Sequence, residues 1–208
     1  MSKTQRIYLF KRFERLWHWM QAALVILMLM TGFEIHGYYH LFGFTSAVKV
    51  HSISAWLLMT LWAFSVFWHI TTGEFKHYLP TMKGLIPQIR YYLIGIFVGD
   101  EKPFHASETA KHNPLQRLAY LALSTLLLPL VWISGLAYLF YNEFFDAWLQ
   151  RFGLDLGDIA AVHTAAAFLV LVFLIVHLYL ITTGKTIGQH LKAMITGWEV
   201  SEPDKADR

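Results

Sequence analysis

The chain contains no cysteine. Disulfides, thiolate metal sites, cysteine-ligated iron–sulfur clusters and covalent c-type haem attachment are all excluded on that ground. Thiols therefore say nothing about the redox compartment. Charge is scarce as well. Only 15% of the 208 residues are charged, where a soluble domain carries about a quarter. The scarcity is also concentrated: residues 16–33, 50–73, 118–142 and 159–184 contain no Asp, Glu, Lys or Arg. A helix needs roughly 20 mostly apolar residues to cross about 30 Å of hydrocarbon. Three of these stretches exceed that length, and the first reaches it once Arg15 and Glu34 sit among the headgroups.

Hydrophobic residues make up 56% of the chain. It reads as an all-α, integral membrane four-helix bundle, with helices at about residues 14–36, 47–73, 114–141 and 159–184. Basic residues precede the first stretch, as they do in a signal peptide. Its apolar run is longer than an h-region, however, and "MLMTGFEIHGYYH" offers no small-x-small cleavage site, so it is read as helix 1. Residues 1–200 form one membrane domain, and "SEPDKADR" at 201–208 reads as a disordered tail.

Lysine and arginine set the orientation. Residues 1–15 carry five, residues 74–117 six and the tail from Lys185 four, against Lys49 and Arg151 alone in the other two connections. Both termini and the long middle loop are expected in the cytoplasm, and the chain in a bacterial cytoplasmic membrane. The sequence pI near 9.0 follows from this topology. The basic residues track the membrane surface and form no separate domain, so nucleic acid is not an expected partner. Within the middle loop, "LIPQIRYYLIGIF" is apolar but too short to span, and reads as an interfacial helix. The outer connection "FYNEFFDAWLQRFGLDLGD" sets four acids against Arg151 and suggests a docking surface. "HITTGEFKHYL" and "LITTGKTIGQHL" close helices 2 and 4, each following an earlier histidine by nearly the same interval. A repeated two-helix unit and shared membrane-exit composition both account for this echo.

Eleven histidines are present, and His18, His51, His69, His163 and His177 lie in or at the edges of spans. Polar groups in hydrocarbon are costly and usually face the bundle interior for a functional reason. His163 and His177 are 14 residues apart, on one helix face and about 21 Å apart along the axis. Helix 2 begins outside, which puts His51 at the depth of His163. Helix 1 begins inside, which puts His18 at the depth of His177. Two matched pairs result, one per leaflet, as two stacked bis-histidine haems require. An iron accepts neutral imidazoles on both faces, and the macrocycle fills apolar space between helices. Without cysteine, b-type haem is the fitting form. "HTAAA" and "HSISA" leave room for a bulky ring; Gly32 and Gly135 either do likewise or serve close helix packing. His69 lies on the face of His51 but about 27 Å further in. It is the alternative partner of His177, although Trp68 and "TTG" favour an interfacial role.

"RFERLWHW", "KVHSISAW", "HNPLQRLAY" and the histidine pair of helix 4 resemble the di-haem cytochrome b subunits of bacterial membrane oxidoreductases. That group includes the formate dehydrogenase gamma subunit, the thiosulfate reductase cytochrome b and the b-type cytochrome of nickel–iron hydrogenase, within the cytochrome b561 superfamily. The resemblance covers about residues 6–198. It implies two haem b groups, the outer on His51 and His163 and the inner on His18 and His177, with the four histidines as the iron ligands. It also implies menaquinone or ubiquinone beside the inner haem, near Asn113 and Gln116. Pro114 and Leu115 stand where the formate-type pattern has small residues, and ordinary helix capping by Asn113 is the competing explanation.

The expected function is a membrane anchor carrying electrons between quinone and an extracytoplasmic redox subunit of iron–sulfur, molybdopterin, hydrogenase or multihaem c type. Polar groups at a wet edge would serve the quinone's protons: Asn113, Gln116, His112 or His190. The chain carries no molybdopterin, iron–sulfur or flavin motif, so substrate chemistry belongs to other subunits. Two alternatives stand beside this: a stand-alone cytochrome b561-like quinone oxidoreductase of superoxide oxidase type, and a histidine-based metal or proton transporter.

Overall fold

The structure, a computed structural model, describes residues 5–107, 110–184 and 186–201. It is almost wholly helical. Four helices are long and apolar enough to cross a membrane: α1 (Arg12–Ile35), α2 (Phe44–Thr72), α4 (Pro114–Leu139) and α6 (Leu156–Ile181). Each starts at or before the corresponding charge-free stretch, because the helices continue past the apolar slab into the headgroup layer and take in Arg12, Glu14, Lys49, Arg117 and Asp158. Between α2 and α4 lies α3 (Leu85–Val98), the short helix expected from "LIPQIRYYLIGIF". Its Ile86, Leu93, Ile94 and Phe97 are exposed, as an interfacial helix requires. Two short α-helices follow, α5 (Asp146–Gln150) and α7 (Gln189–Thr196), and Glu74–Tyr78 forms a 3₁₀ turn after α2.

One feature was not legible in the residue pattern. Strand β1 (Gln5–Tyr8) pairs antiparallel with β2 (Trp198–Ser201), in the register Arg6 to Val200 and Tyr8 to Trp198. Four-residue strands are too short for alternation to mark them. Tyr8 and Trp198 pack their rings 5.1 Å apart across the ribbon, and Gly197, at φ +88°, turns the chain into β2. Ser201, expected in the tail, belongs to this strand; the rest of the expected tail, 202–208, lies outside the described residues.

The chain divides into two compact units, one formed by residues up to Ala119 together with those from Tyr179 onward, the other by Tyr120–Leu178. In the first, α1 and α2 pack together, and the outer loop joining them is organised by one buried carboxylate. Glu34 Oε1 accepts the backbone N–H groups of Leu41, Phe42 and Gly43 at 2.7, 2.7 and 2.8 Å. This places a negative group where α2 begins, the end of a helix that favours an anion. In the second unit, α4 passes through a π turn at Leu123–Leu127 just ahead of Pro129. A proline removes one helical N–H and its ring crowds the carbonyl four residues back; a π turn there accommodates both. Asp155 and Asp158 cap α6 reciprocally, each side chain accepting the other's backbone N–H at 3.0 and 2.9 Å.

Candidate haem-ligand histidines and the helix 3 entrance

His51 lies two turns into α2 and is held from α1. Its Nδ1 is 2.9 Å from Thr31 Oγ1, and Thr31 is completely buried. The same hydroxyl lies 2.9 Å from Leu27 O and 3.2 Å from Met28 O. A hydroxyl has one proton and two acceptor sites. With the proton given to a helix carbonyl, Thr31 accepts from His51 Nδ1–H. The next residue, Gly32, faces the same imidazole: a Cβ there would sit 3.7 Å from His51 Cε1.

The second unit repeats this arrangement. His163 Nδ1 is 3.2 Å from Ser134 Oγ and 3.1 Å from the carbonyl of Val131. Ser134 Oγ donates back to Leu130 O at 2.6 Å. A carbonyl only accepts, so His163 Nδ1 carries a proton. Gly135 follows Ser134 and is still closer to the ring: a Cβ would fall 3.0 Å from His163 Cε1. Each outer-level histidine thus meets a hydroxyl–glycine pair from the preceding span. The sequence signal was available, since both glycines are preceded by a hydroxyl residue ("TG" and "SG"). It becomes informative only once each pair is seen against a histidine.

The inner-level candidates have different surroundings. His18 on α1 stands edge-on to Trp19, with centroids 5.2 Å apart. His177 on α6 lies parallel to Phe173, one turn earlier, at 6.0 Å and 7°. Both are half-buried. His69, by contrast, is buried. Its Nδ1 donates to its own helix at Ser65 O, 2.7 Å away. The rings of Trp17, Trp68 and Tyr78 surround it at 5.6, 5.0 and 5.2 Å. Its Nε2 is buried among them with no hydrogen-bond partner among the described residues.

At the entrance to α4, Asn113 and Gln116 form a reciprocal cap. Asn113 Oδ1 accepts Gln116 N–H at 2.8 Å, and Gln116 Oε1 accepts Asn113 N–H at 3.0 Å. Asn113 Nδ2 also donates to Tyr92 Oη at 3.1 Å, and Pro114 takes the first helical position, where no N–H is needed. Beside this cap is a cavity of 310 Å³ whose lining includes His112, Pro114, Arg117, Lys83, Thr81 and Phe104. Arg117 Nε donates to the carbonyl of His112 at 3.0 Å. Burial pushes the His112 imidazole down to about 3, with the nearby Lys111 and Arg117 cations acting in the same direction. His190, the other candidate for proton handling, lies 3.5 Å from Glu199 near the C-terminal ribbon, and burial lowers its pKa.

Sequence reasoning missed the ionic cluster next to this entrance. Lys111 is buried, with Nζ 2.9 and 3.0 Å from the two Glu14 oxygens and 2.7 Å from Glu74 Oε2. Lys11 also pairs with Glu74. Burial opposes ionisation of Glu74, but hydrogen bonds and charge from Lys11 and Lys111 outweigh it and hold the carboxyl down at about 2. His77 stands 3.5 Å from the same carboxylate. The cluster joins the starts of α1 and α4 to the end of α2, and its Lys111–Glu14 pair links residues 97 apart in the chain. Among the described residues, no group of three or more His, Cys, Asp or Glu side chains is placed to hold a free metal ion.

Four apolar spans and imidazoles held by hydroxyl–glycine pairs define a membrane-embedded b-type cytochrome, and the family model for prokaryotic cytochrome b561 matches residues 9–197. The chain belongs to the prokaryotic cytochrome b561 family and is a multi-pass membrane protein. A similar protein is the one described as "Putative cytochrome YdhU" of Escherichia coli (strain K12), 35% identical over 207 residues, covering 93% of this chain and 75% of that protein. Family membership implies b-type haem, and the residues present fit it. His163 carries a proton on Nδ1, His51 is hydrogen-bonded in the matching way, and glycine rather than a larger residue lies against each ring. The same membership sets aside a haem-free transporter.

Proposed function

We propose that the chain is the membrane-anchoring di-haem subunit of an oxidoreductase, carrying electrons between the quinone pool and a redox protein outside the cytoplasm. His51 with His163 would hold one haem b, and His18 with His177 the other. The observation that carries this reading is the parallel treatment of His51 and His163. On two separate helix pairs, the imidazole meets through Nδ1 a hydroxyl of the preceding span, the arrangement that would direct Nε2 to a metal. Each haem iron supplies a one-electron redox centre when bound.

The rest of the work falls to the chain's own groups. The apolar spans keep water from the imidazoles and hold the ligands without covalent attachment. Asn113 and Gln116 fix the first turn of α4. The adjoining cavity would receive the headgroup of menaquinone or ubiquinone, with Arg117 and Lys83 to polarise its oxygens. His112 is held neutral there, so it can hydrogen-bond without placing a cation against the headgroup. In the connection between α4 and α6, Phe144, Trp148 and Phe152 are exposed around α5. Exposed aromatics are enriched at docking sites, and this connection would meet the extracytoplasmic partner.

The deciding experiment counts haem. A pyridine haemochrome assay on the purified chain should give two haem b per polypeptide, and His51→Ala should leave one. Two haems retained in His51→Ala, or a colourless wild-type protein from haem-replete cells, would refute the assignment.

A further inference from the structure

We propose that Thr31 and Ser134 are positioning residues that accept the Nδ1–H of His51 and His163 and so set the donor strength of these imidazoles as iron ligands. The inference rests on the di-haem reading above and adds to it the groups that tune one haem through its ligands.

Three observations support it. First, the hydroxyls are not free to take either role. Each sits one helical turn from a carbonyl of its own helix, at 2.9 Å for Thr31 and 2.6 Å for Ser134. Back-bonding of this kind uses the single hydroxyl proton and leaves oxygen lone pairs for an N–H. Second, the Val131 carbonyl beside His163 Nδ1 admits only a proton on that nitrogen, so the tautomer at that histidine is determined independently of the serine. Third, the glycine after Ser134 leaves the space that a Cβ 3.0 Å from His163 Cε1 would take, so α4 approaches that imidazole closely enough for the bond to form.

The chemical consequence concerns electron density. An imidazole whose Nδ1–H donates to an oxygen is a more basic ligand through Nε2, and outer hydrogen bonds of this kind orient the ring as well. A more basic ligand favours the ferric over the ferrous state, and hydrogen bonding around the ligands is one of the protein's levers on haem potential. Thr31 and Ser134 therefore hold the potential of the haem at the His51–His163 level below the value it would take without them. The haem at the His18–His177 level provides an internal reference within the same protein.

The test compares Thr31→Val, which keeps the shape of the buried side chain, with Thr31→Ser, which keeps the hydroxyl; Ser134→Ala and Ser134→Thr form the second pair. Haem content is measured by pyridine haemochrome, and each haem is followed by redox titration and by the low-spin ferric electron paramagnetic resonance signal. Thr31→Val combined with Ser134→Ala should retain the inner haem unchanged. The ferric-over-ferrous preference of the outer haem should weaken by about tenfold, a rise of about 59 mV for one electron, with altered g values. Affinity for that haem should fall in the 10- to 100-fold range known for lost outer-shell bonds. Thr31→Ser and Ser134→Thr should restore the wild-type signal. An outer-haem potential and g tensor unmoved in the double variant, with two haems still bound, would overturn this inference while leaving the di-haem reading intact. Failure of that reading would instead appear as a wrong haem count in wild type or His51→Ala. If Thr31→Val does not accumulate, Thr31→Ala, which removes the hydroxyl acceptor 2.9 Å from His51 Nδ1 without adding bulk, decides by the same two readouts.

Discussion

Gly32 and Gly135 occupy equivalent positions but leave different amounts of room. A methyl at Gly32 would touch His51 at 3.7 Å, an ordinary contact, whereas at Gly135 it would press on His163 at 3.0 Å. Overpacking of that sort costs about 1–3 kcal/mol, and here the ring must move off its hydroxyl and carbonyl acceptors. Gly135→Ala should lower the melting temperature and reduce bound haem, while Gly32→Ala should change both little. Thermal unfolding in detergent, followed at the haem absorption band, checks this; equal behaviour of the two variants would contradict it. At this scale the sequence ranked the histidines by depth, because depth along a helix follows from residue count. It was silent about what holds each ring, since a hydroxyl 20 or 29 residues away gives no periodic sign of its partner.

Among the elements, the loop between α1 and α2 has the clearest mechanical role. Glu34 gathers three consecutive backbone N–H groups and so fixes where α2 begins, and with it the height of His51. Leu41, Phe42 and Gly43 are exposed, so without the carboxylate their N–H groups turn to water and the loop loses its fixed geometry. Glu34→Ala should therefore lower the melting temperature and weaken haem retention, and Glu34→Gln, which keeps an oxygen acceptor, should lose less. Matching melting temperatures for the two variants would show that the three bonds do not organise the loop. The four spans were legible because absence of charge over about 20 residues is a strong signal. The helix 3 entrance was only half legible. "HNPLQR" suggested both a cap and a quinone contact, and the side-chain amides of Asn113 and Gln116 are engaged in the cap. The outer acids divide in the same way, since Asp155 and Asp158 cap α6 and leave Glu143 and Asp146 to the surface.

For the molecule as a whole, the buried ionic cluster and His112 predict how stability depends on pH. His112 has a folded-state pKa of about 3 against 6.5 for the ordinary imidazole. Its folded form is neutral, so its contribution is present above pH 6.5 and is lost as the pH falls towards 3. The loss is about 1.4 kcal/mol per pH unit. His77, also lowered by burial and by Lys111, acts with the same sign. Glu74, held at about 2 against 4.5, contributes above pH 4.5 and loses that contribution only between 4.5 and 2. Between pH 7.5 and 5.5 the change in stability should thus belong to the histidines, and His112→Phe should flatten most of it. A melting temperature equally pH-dependent in wild type and His112→Phe would argue against this assignment. The cluster could not be read from the sequence because its four charged members come from three distant segments, each of which resembles an ordinary membrane-edge residue.

The ribbon of β1 and β2 has a consequence of a different kind. Two strands can exchange hydrogen bonds only if they lie in the same aqueous compartment. The polypeptide running from Tyr8 to Trp198 must therefore traverse the bilayer an even number of times. Four traversals meet this parity and three or five would not, so a handful of main-chain bonds at the far ends of the chain checks the membrane topology without reference to any charged side chain.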